Sequence, residues 1–178
     1  MRRRSRVPAF VLVVLLGALG PVAGASASDN GLRALVGEAA AAKTRVERDV
    51  AKAGLPQSGS KAAYVRALKR SARIYAGVRR TADGLLRDFG AEAADTPQAD
   101  AGRTLMVGGL DDVAHAADRY AAATRRATAR VRRARSIAAL ERAARAYDRD
   151  GRACRKIADR GFDQAGRGAS TIQSAPVG

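Results

Sequence analysis

The chain has no tryptophan, one histidine and one cysteine in 178 residues, and each scarcity removes a class of function. A lone Cys154 cannot close an internal disulfide, so packing must hold the fold. A lone His115 leaves no His/Cys set at zinc-ligand spacing. The three phenylalanines and four tyrosines are the whole aromatic complement. Tyr64, Tyr75, Tyr120, Tyr147 and Phe89 all fall on apolar seams, which disfavours binding by rings stacked on bases or sugars. Sequence-specific nucleic-acid binding is therefore not expected. No Gly-rich phosphate loop, serine-hydrolase elbow or zinc signature is present, and the chain is read as a non-enzyme without cofactor or metal. Acidic residues are also scarce, 17 against 33 Lys+Arg, for a formal charge of +16.

The strongest apolar run, residues 9–19, is shorter than a membrane-spanning helix, which needs about 20 residues. It follows the basic "MRRRSR" and precedes "AGASA", the layout of a signal peptide over residues 1–27, cut near Ala25 or Ala27. The expected protein is secreted or associated with the cell envelope; the alternative is an uncleaved N-terminal signal-anchor. Without those residues the charge is still +12.

What remains is rich in alanine, arginine and leucine, all good helix formers, and lacks β-branched runs. Residues 30–53 read as a first helix, ended by "GLPQSGS". Residues 60–89 read as a second, with Tyr64, Leu68, Ser71, Tyr75, Val78, Ala82, Leu85 and Phe89 alternating spacings of four and three. After the linker "GAEAADTPQADAG", Thr96 is placed to cap a helix and Pro97 to begin one. Gly108-Gly109 is expected to interrupt that helix, with Asp111 and Asp112 favouring a restart.

One seam then runs Leu110, Val113, Ala117, Tyr120, Thr124, Ala127, Val131, Ala134. Another runs Ile137, Leu140, Ala144, Tyr147, Gly151, Cys154, Ala158, after a slip of one position near Ser136. Either the chain turns at Ser136 or one helix spans residues 110–160 and leaves part of its stripe uncovered. The fold class is all-α: an antiparallel, coiled-coil-like bundle of four helices over residues 28–163, with 164–178 a disordered tail.

Charge is blocked along this chain. Residues 61–80 carry +7, 81–118 carry −6, and 119–135 carry +7 without one acidic residue. In a hairpin of the second and third helices, Asp111, Asp112 and Asp118 would lie beside Lys69, Arg70 and Arg73. The arginines of "RRATARVRRARS" would have no such partners and would lie opposite the seam. A merely solvated helix face would look the same and is the favoured reading; as a site, Arg125, Arg126, Arg130, Arg132 and Arg133, with Lys61 and Arg66, are the candidate anion-binding residues. The partners implied are an anionic cell-wall polymer or an anionic lipid surface. The alternative function is a protein–protein adaptor or homo-oligomer joined through the uncovered stripe near residues 137–158. A third is a small metal-binding protein or enzyme centred on Asp111, His115 and Asp118, whose spacings of four and three share a helix face. Ordinary charge pairing along a helix is the favoured account of that cluster.

Overall fold

In the computed structural model, which describes residues 27–56 and 59–176, the seam from Tyr64 to Phe89 is buried at all eight positions. It is one face of α2 (Lys61–Ala91), and α1 (Ala27–Val50), α3 (Pro97–Arg133) and α4 (Ile137–Gln173) complete an all-α bundle. No strand occurs among the described residues. The expected signal peptide, its cleavage point and the signal-anchor alternative fall on residues outside the described ones, apart from the first residues of α1. No described helix is long and apolar enough to cross a membrane.

Capping side chains punctuate the fold. Ala63 N–H donates to Ser60 Oγ at 3.3 Å, Ala99 N–H to Thr96 Oγ1 at 3.1 Å, and Ala139 N–H to Ser136 Oγ at 3.2 Å. Each satisfies a backbone donor that the first turn of a helix leaves unpaired. Thr96 and Pro97 occupy the expected cap and first position of α3. Ser136 decides the open question at the third joint. The chain turns between Arg133 and Ile137, so a single helix over residues 110–160 does not form. No glycine or proline is needed there, because Ala134, Arg135 and Ser136 leave helical geometry and Ser136 restarts it. In the loop before α2, Gly54 and Gly59 carry positive φ of 153° and 150°. Residues with side chains rarely adopt such values.

Two expectations are corrected by the packing of α3 against α4. Gly108-Gly109 does not interrupt α3, and Asp111 and Asp112 lie within it rather than at a helix start. Residues 164–173, expected in a disordered tail, continue α4. Both corrections have one cause. Gly102 and Gly109 of α3 face Gly168 and Gly161 of α4 so closely that a Cβ on Gly109 would sit 2.5 Å from the Gly161 carbonyl oxygen. A Cβ on Gly168 would sit 2.6 Å from the Gly102 oxygen. Glycine costs each helix ~1 kcal/mol relative to alanine. Here it lets two long backbones touch, with Cα–H groups against carbonyls.

The seam expected on α4 is correspondingly displaced. Tyr147 and Cys154 are buried as read, but Ala143, Gly161, Gly168 and Ile172 complete the buried face, while Ile137 is 77% exposed. Ile137 is the only large apolar side chain exposed among the described residues. Of the stripe on which the adaptor or homodimer reading relied, Tyr147 and Cys154 are buried, Leu140, Ala144, Gly151 and Ala158 are half-buried, and Ile137 is exposed.

Helix length shapes the whole molecule. α1 has 24 residues, and α3 and α4 have 37 each. At a rise of about 1.5 Å per residue, α1 spans about 36 Å and each of the longer helices about 55 Å. α1 covers only part of its partners. At one end Leu32 and Val36 pack with Phe89, Met106 and Ile172, and further along Val46 and Val50 pack near Val78 and Val113. At the other end Tyr64, Leu68, Val131, Ala143 and Tyr147 form a three-helix core that Leu55, from the α1–α2 loop, helps to close.

Candidate anion-binding site

Register decides which charges meet. Tyr75 of α2 stacks on Tyr120 of α3, and Arg79 Nη1 donates to Asp118 Oδ2 at 2.7 Å. Lys61 Nζ donates to the Ala134 carbonyl at 3.2 Å, setting the start of α2 beside the end of α3. The two basic blocks, 61–80 and 119–135, therefore lie at the same end of the bundle, and the acidic block 81–118 surrounds the α2–α3 turn at the other. The expected pairing of Asp111, Asp112 and Asp118 with Lys69, Arg70 and Arg73 is not formed. Asp118 takes Arg79 instead, and Asp112 accepts from Arg160 Nε and Nη2 at 2.8 and 2.9 Å. The Arg160 hydrogen bonds hold the Asp112 carboxyl below the usual carboxylate range.

At the basic end the candidate residues divide. Arg125, Arg126, Arg130, Arg132, Arg133, Lys61 and Arg66 are all exposed. Arg130, Arg132 and Arg133 occupy the last turn of α3, where positive charge also complements the helix dipole. Lys61 is engaged with the C-terminal cap of α3, and Arg126 pairs with Asp150 at 3.1 Å. Arg125, Arg132, Arg133 and Arg66 stand on the surface without an ion pair to the described residues.

Arg130 has a different setting. Together with Arg142 and Arg149 of α4 it surrounds a cleft of about 380 Å³ whose other lining residues are Ala139, Ala143 and Ala146. No carboxylate lines the cleft, and none of these three arginines has a hydrogen-bond or ion-pair partner among the described residues. Small alanines keep the base shallow, so a ligand resting there would meet guanidinium groups from two helices. Guanidinium forks suit carboxylate and phosphate oxygens, which accept two parallel N–H bonds.

Arg142 and Arg149 were not singled out from the sequence. Their seven-residue spacing places them on one face of α4, but Glu141, Asp148 and Asp150 beside them dilute the charge of the block. The separation of these acids from the cleft follows from helix direction, not from composition. Asp150 turns to Arg126, and Glu141 pairs with Arg145 at 3.5 Å.

The other chemistry-bearing residues are occupied differently. His115 is exposed, its neighbour Asp118 pairs with Arg79, and no group of three His, Cys, Asp or Glu among the described residues is placed to hold a metal ion. Cys154 is buried between the helices, and burial pushes its thiol above the ordinary value. Tyr64, Tyr75 and Tyr147 are buried, and Tyr120 is half-buried beneath its stack with Tyr75. No family model matches the chain, and neither a curated protein nor a solved structure is similar to it.

Proposed function

We propose that the protein is an exported helical-bundle binding module whose basic end holds an anionic envelope component, either an acidic wall polymer or an anionic lipid surface. The observation that supports this reading is the cleft between Arg130, Arg142 and Arg149, lined by three cations and no carboxylate. The remaining surface arginines of α3 add a long-range field that draws anions to this end, and the cleft gives them a place to bind. Such binding rests on charge and weakens steeply as salt rises.

Cosedimentation with phosphatidylglycerol vesicles and with polyanionic wall fragments, at low and at physiological ionic strength, tests the reading. The parent protein is expected to bind at least one of them at low salt. The variant carrying Arg130→Gln, Arg142→Gln and Arg149→Gln should bind about tenfold more weakly or worse, the loss expected from one or more charge-assisted hydrogen bonds. A variant with Arg125→Gln, Arg132→Gln and Arg133→Gln, which removes the same charge outside the cleft, should lose less. Equal losses from the two triple variants would leave net charge alone as the cause, and no binding to either anion would overturn the function.

A further inference from the structure

α1 and α4 are neighbours around the bundle but touch far less than α3 and α4 do. The Arg33 guanidinium donates to the Ala175 carbonyl at 2.9 Å and ties them at one end. Beyond that tie they diverge, and a cavity of about 890 Å³ opens between them over α2 and α3. Leu85, Leu110 and Val113 form its floor, and Val36, Val46 and Phe162 its walls. Ala39 of α1 and Ala169 of α4 leave the space between the walls unfilled, because each contributes only a methyl group.

This space is far larger than the voids of a packed interior and opens to the surface. Protein interiors leave few voids larger than a water molecule. Pockets of ~300–1,000 Å³ with apolar linings and a few polar groups are instead characteristic of small-molecule sites. The charged groups of this lining are Lys43, Asp163 and Arg167. Lys43 Nζ stands 5.8 Å from the centre of the Phe162 ring and also pairs with Glu47, so the ammonium is held over one wall. Arg167 lines the opposite side, with Asp163 the one carboxylate in the lining.

Dimensions select the occupant. The α1 wall from Val36 to Val46 rises ~15 Å. That is half the ~30 Å hydrocarbon thickness of a bilayer, and so about one acyl chain. Volume divided by this length gives a cross-section of roughly 60 Å², less than the roughly 80 Å² or more of a helix about 10–12 Å across. A partner helix could not sink fully between α1 and α4 without spreading them, whereas a hydrocarbon chain could. We infer that the α1–α4 cavity binds the acyl chain of a lipid with an anionic head, which Lys43 and Arg167 meet. This site is separate from the arginine cleft and does not depend on it.

Displacement of a fluorescent fatty acid, with native mass spectrometry for stoichiometry, tests this on the full chain. Palmitate and lysophosphatidylglycerol, which share the acyl chain and differ in the anion, should each bind saturably at one molecule per protein. Tighter binding of one identifies a carboxylate or a phosphate head. Ala39→Phe, which fills the cavity, should reduce binding at least tenfold while helicity and the melting transition remain. Should Ala39→Phe fail to fold, Val46→Asp introduces a charge into the wall without bulk and carries the same expectation. Lys43→Gln with Arg167→Gln should weaken palmitate about tenfold and leave neutral monopalmitin within twofold. The arginine-cleft triple variant should retain palmitate. Absence of saturable binding would overturn the inference, as would full binding by a folded Ala39→Phe protein. A concentration-dependent dimer abolished by Ala39→Phe would assign the cavity to a second copy instead.

Discussion

Tyr75 and Tyr120 stack face to face with ring centroids 4.1 Å apart and planes inclined by 4°. The Tyr120 hydroxyl continues outward and donates to the Gly151 carbonyl of α4 at 2.8 Å. One residue pair thereby joins three helices at a common level. The register it sets brings both basic blocks to one end.

Removing this junction should cost more than removing its hydroxyl. Tyr120→Ala is expected to destabilise the fold by about 3 kcal/mol through lost burial and stacking. Tyr120→Phe, which keeps the ring, should cost about 1 kcal/mol. Urea titration of both variants measures the difference, and equal costs would mean that the stack contributes little. Burial raises both phenol pKa values, with the Tyr120 charge adding to the effect on Tyr75. The folded state therefore retains protons that the unfolded state releases above the ordinary tyrosine range. Stability is expected to fall as pH rises beyond ~10. Tyrosinate absorbance and helical circular dichroism recorded together should change in one transition.

The glycine contacts between α3 and α4 give a prediction of opposite signs at two glycines. A methyl group on residue 109 would lie within 2.5 Å of backbone atoms of α4. Gly109→Ala should therefore destabilise the protein by about 2 kcal/mol, the cost of forcing bulk into a packed contact. A methyl group on residue 37 of α1 would meet nothing within 4 Å. Gly37→Ala should stabilise the protein by up to about 1 kcal/mol through helix propensity. Thermal melts of the two variants compare them directly. Destabilisation by both would show that glycine is needed for another reason.

Asp29, 2% exposed, accepts from the Asp95 N–H at 3.0 Å and from the Thr96 hydroxyl at 2.9 Å. It thus ties the first turn of α1 to the start of α3. Asp29→Ala should cost about 2 kcal/mol and leave two partners unpaired. Hydrogen exchange would place the loss: faster exchange is expected in residues 95–99 and the first turns of α1. Uniform acceleration over all helices would contradict a local tie.

Ser71 is fully buried and its Oγ has no hydrogen-bond partner among the described residues. Replacing it with alanine removes an unsatisfied polar atom at almost the same volume. Ser71→Ala should therefore be neutral or stabilise the fold by about 1 kcal/mol. A loss of about 1 kcal/mol or more in chemical denaturation would reveal an interaction of the hydroxyl in solution.

Cys154 should behave as a packed apolar group. Its burial and raised pKa both disfavour the thiolate that reacts with disulfide reagents. Modification by an aromatic disulfide reagent is expected to be slow in the folded protein and fast in denaturant. Rapid modification of the native protein would show that the bundle opens at this level.

Much of each helix was legible locally. The eight-position seam of α2 needs only a helical period and side chains of suitable polarity, and every position in it is buried. Thr96 and Pro97 mark the start of α3 because capping and restricted φ act within a few residues. Composition likewise identified a helical chain of high positive charge. What sequence could not supply was the partner of each face. Gly108-Gly109 reads as a helix break in isolation, and becomes a helix interior only when Gly161 and Gln164 lie against it. Asp112 pairs with Arg160, 48 residues away, because two long helices touch at that level. Arg130, Arg142 and Arg149 form a cleft for the same reason, as does the space left where α1 is shorter and more widely set than its neighbours. Periodicity is written along the chain, so the sequence determines most helical segments and the buried face of α2, but not the glycine-rich stretches that become helical only where α3 and α4 touch. Register and separation between helices depend on contacts among distant residues, so only tertiary packing decides where charges converge and where a cavity remains.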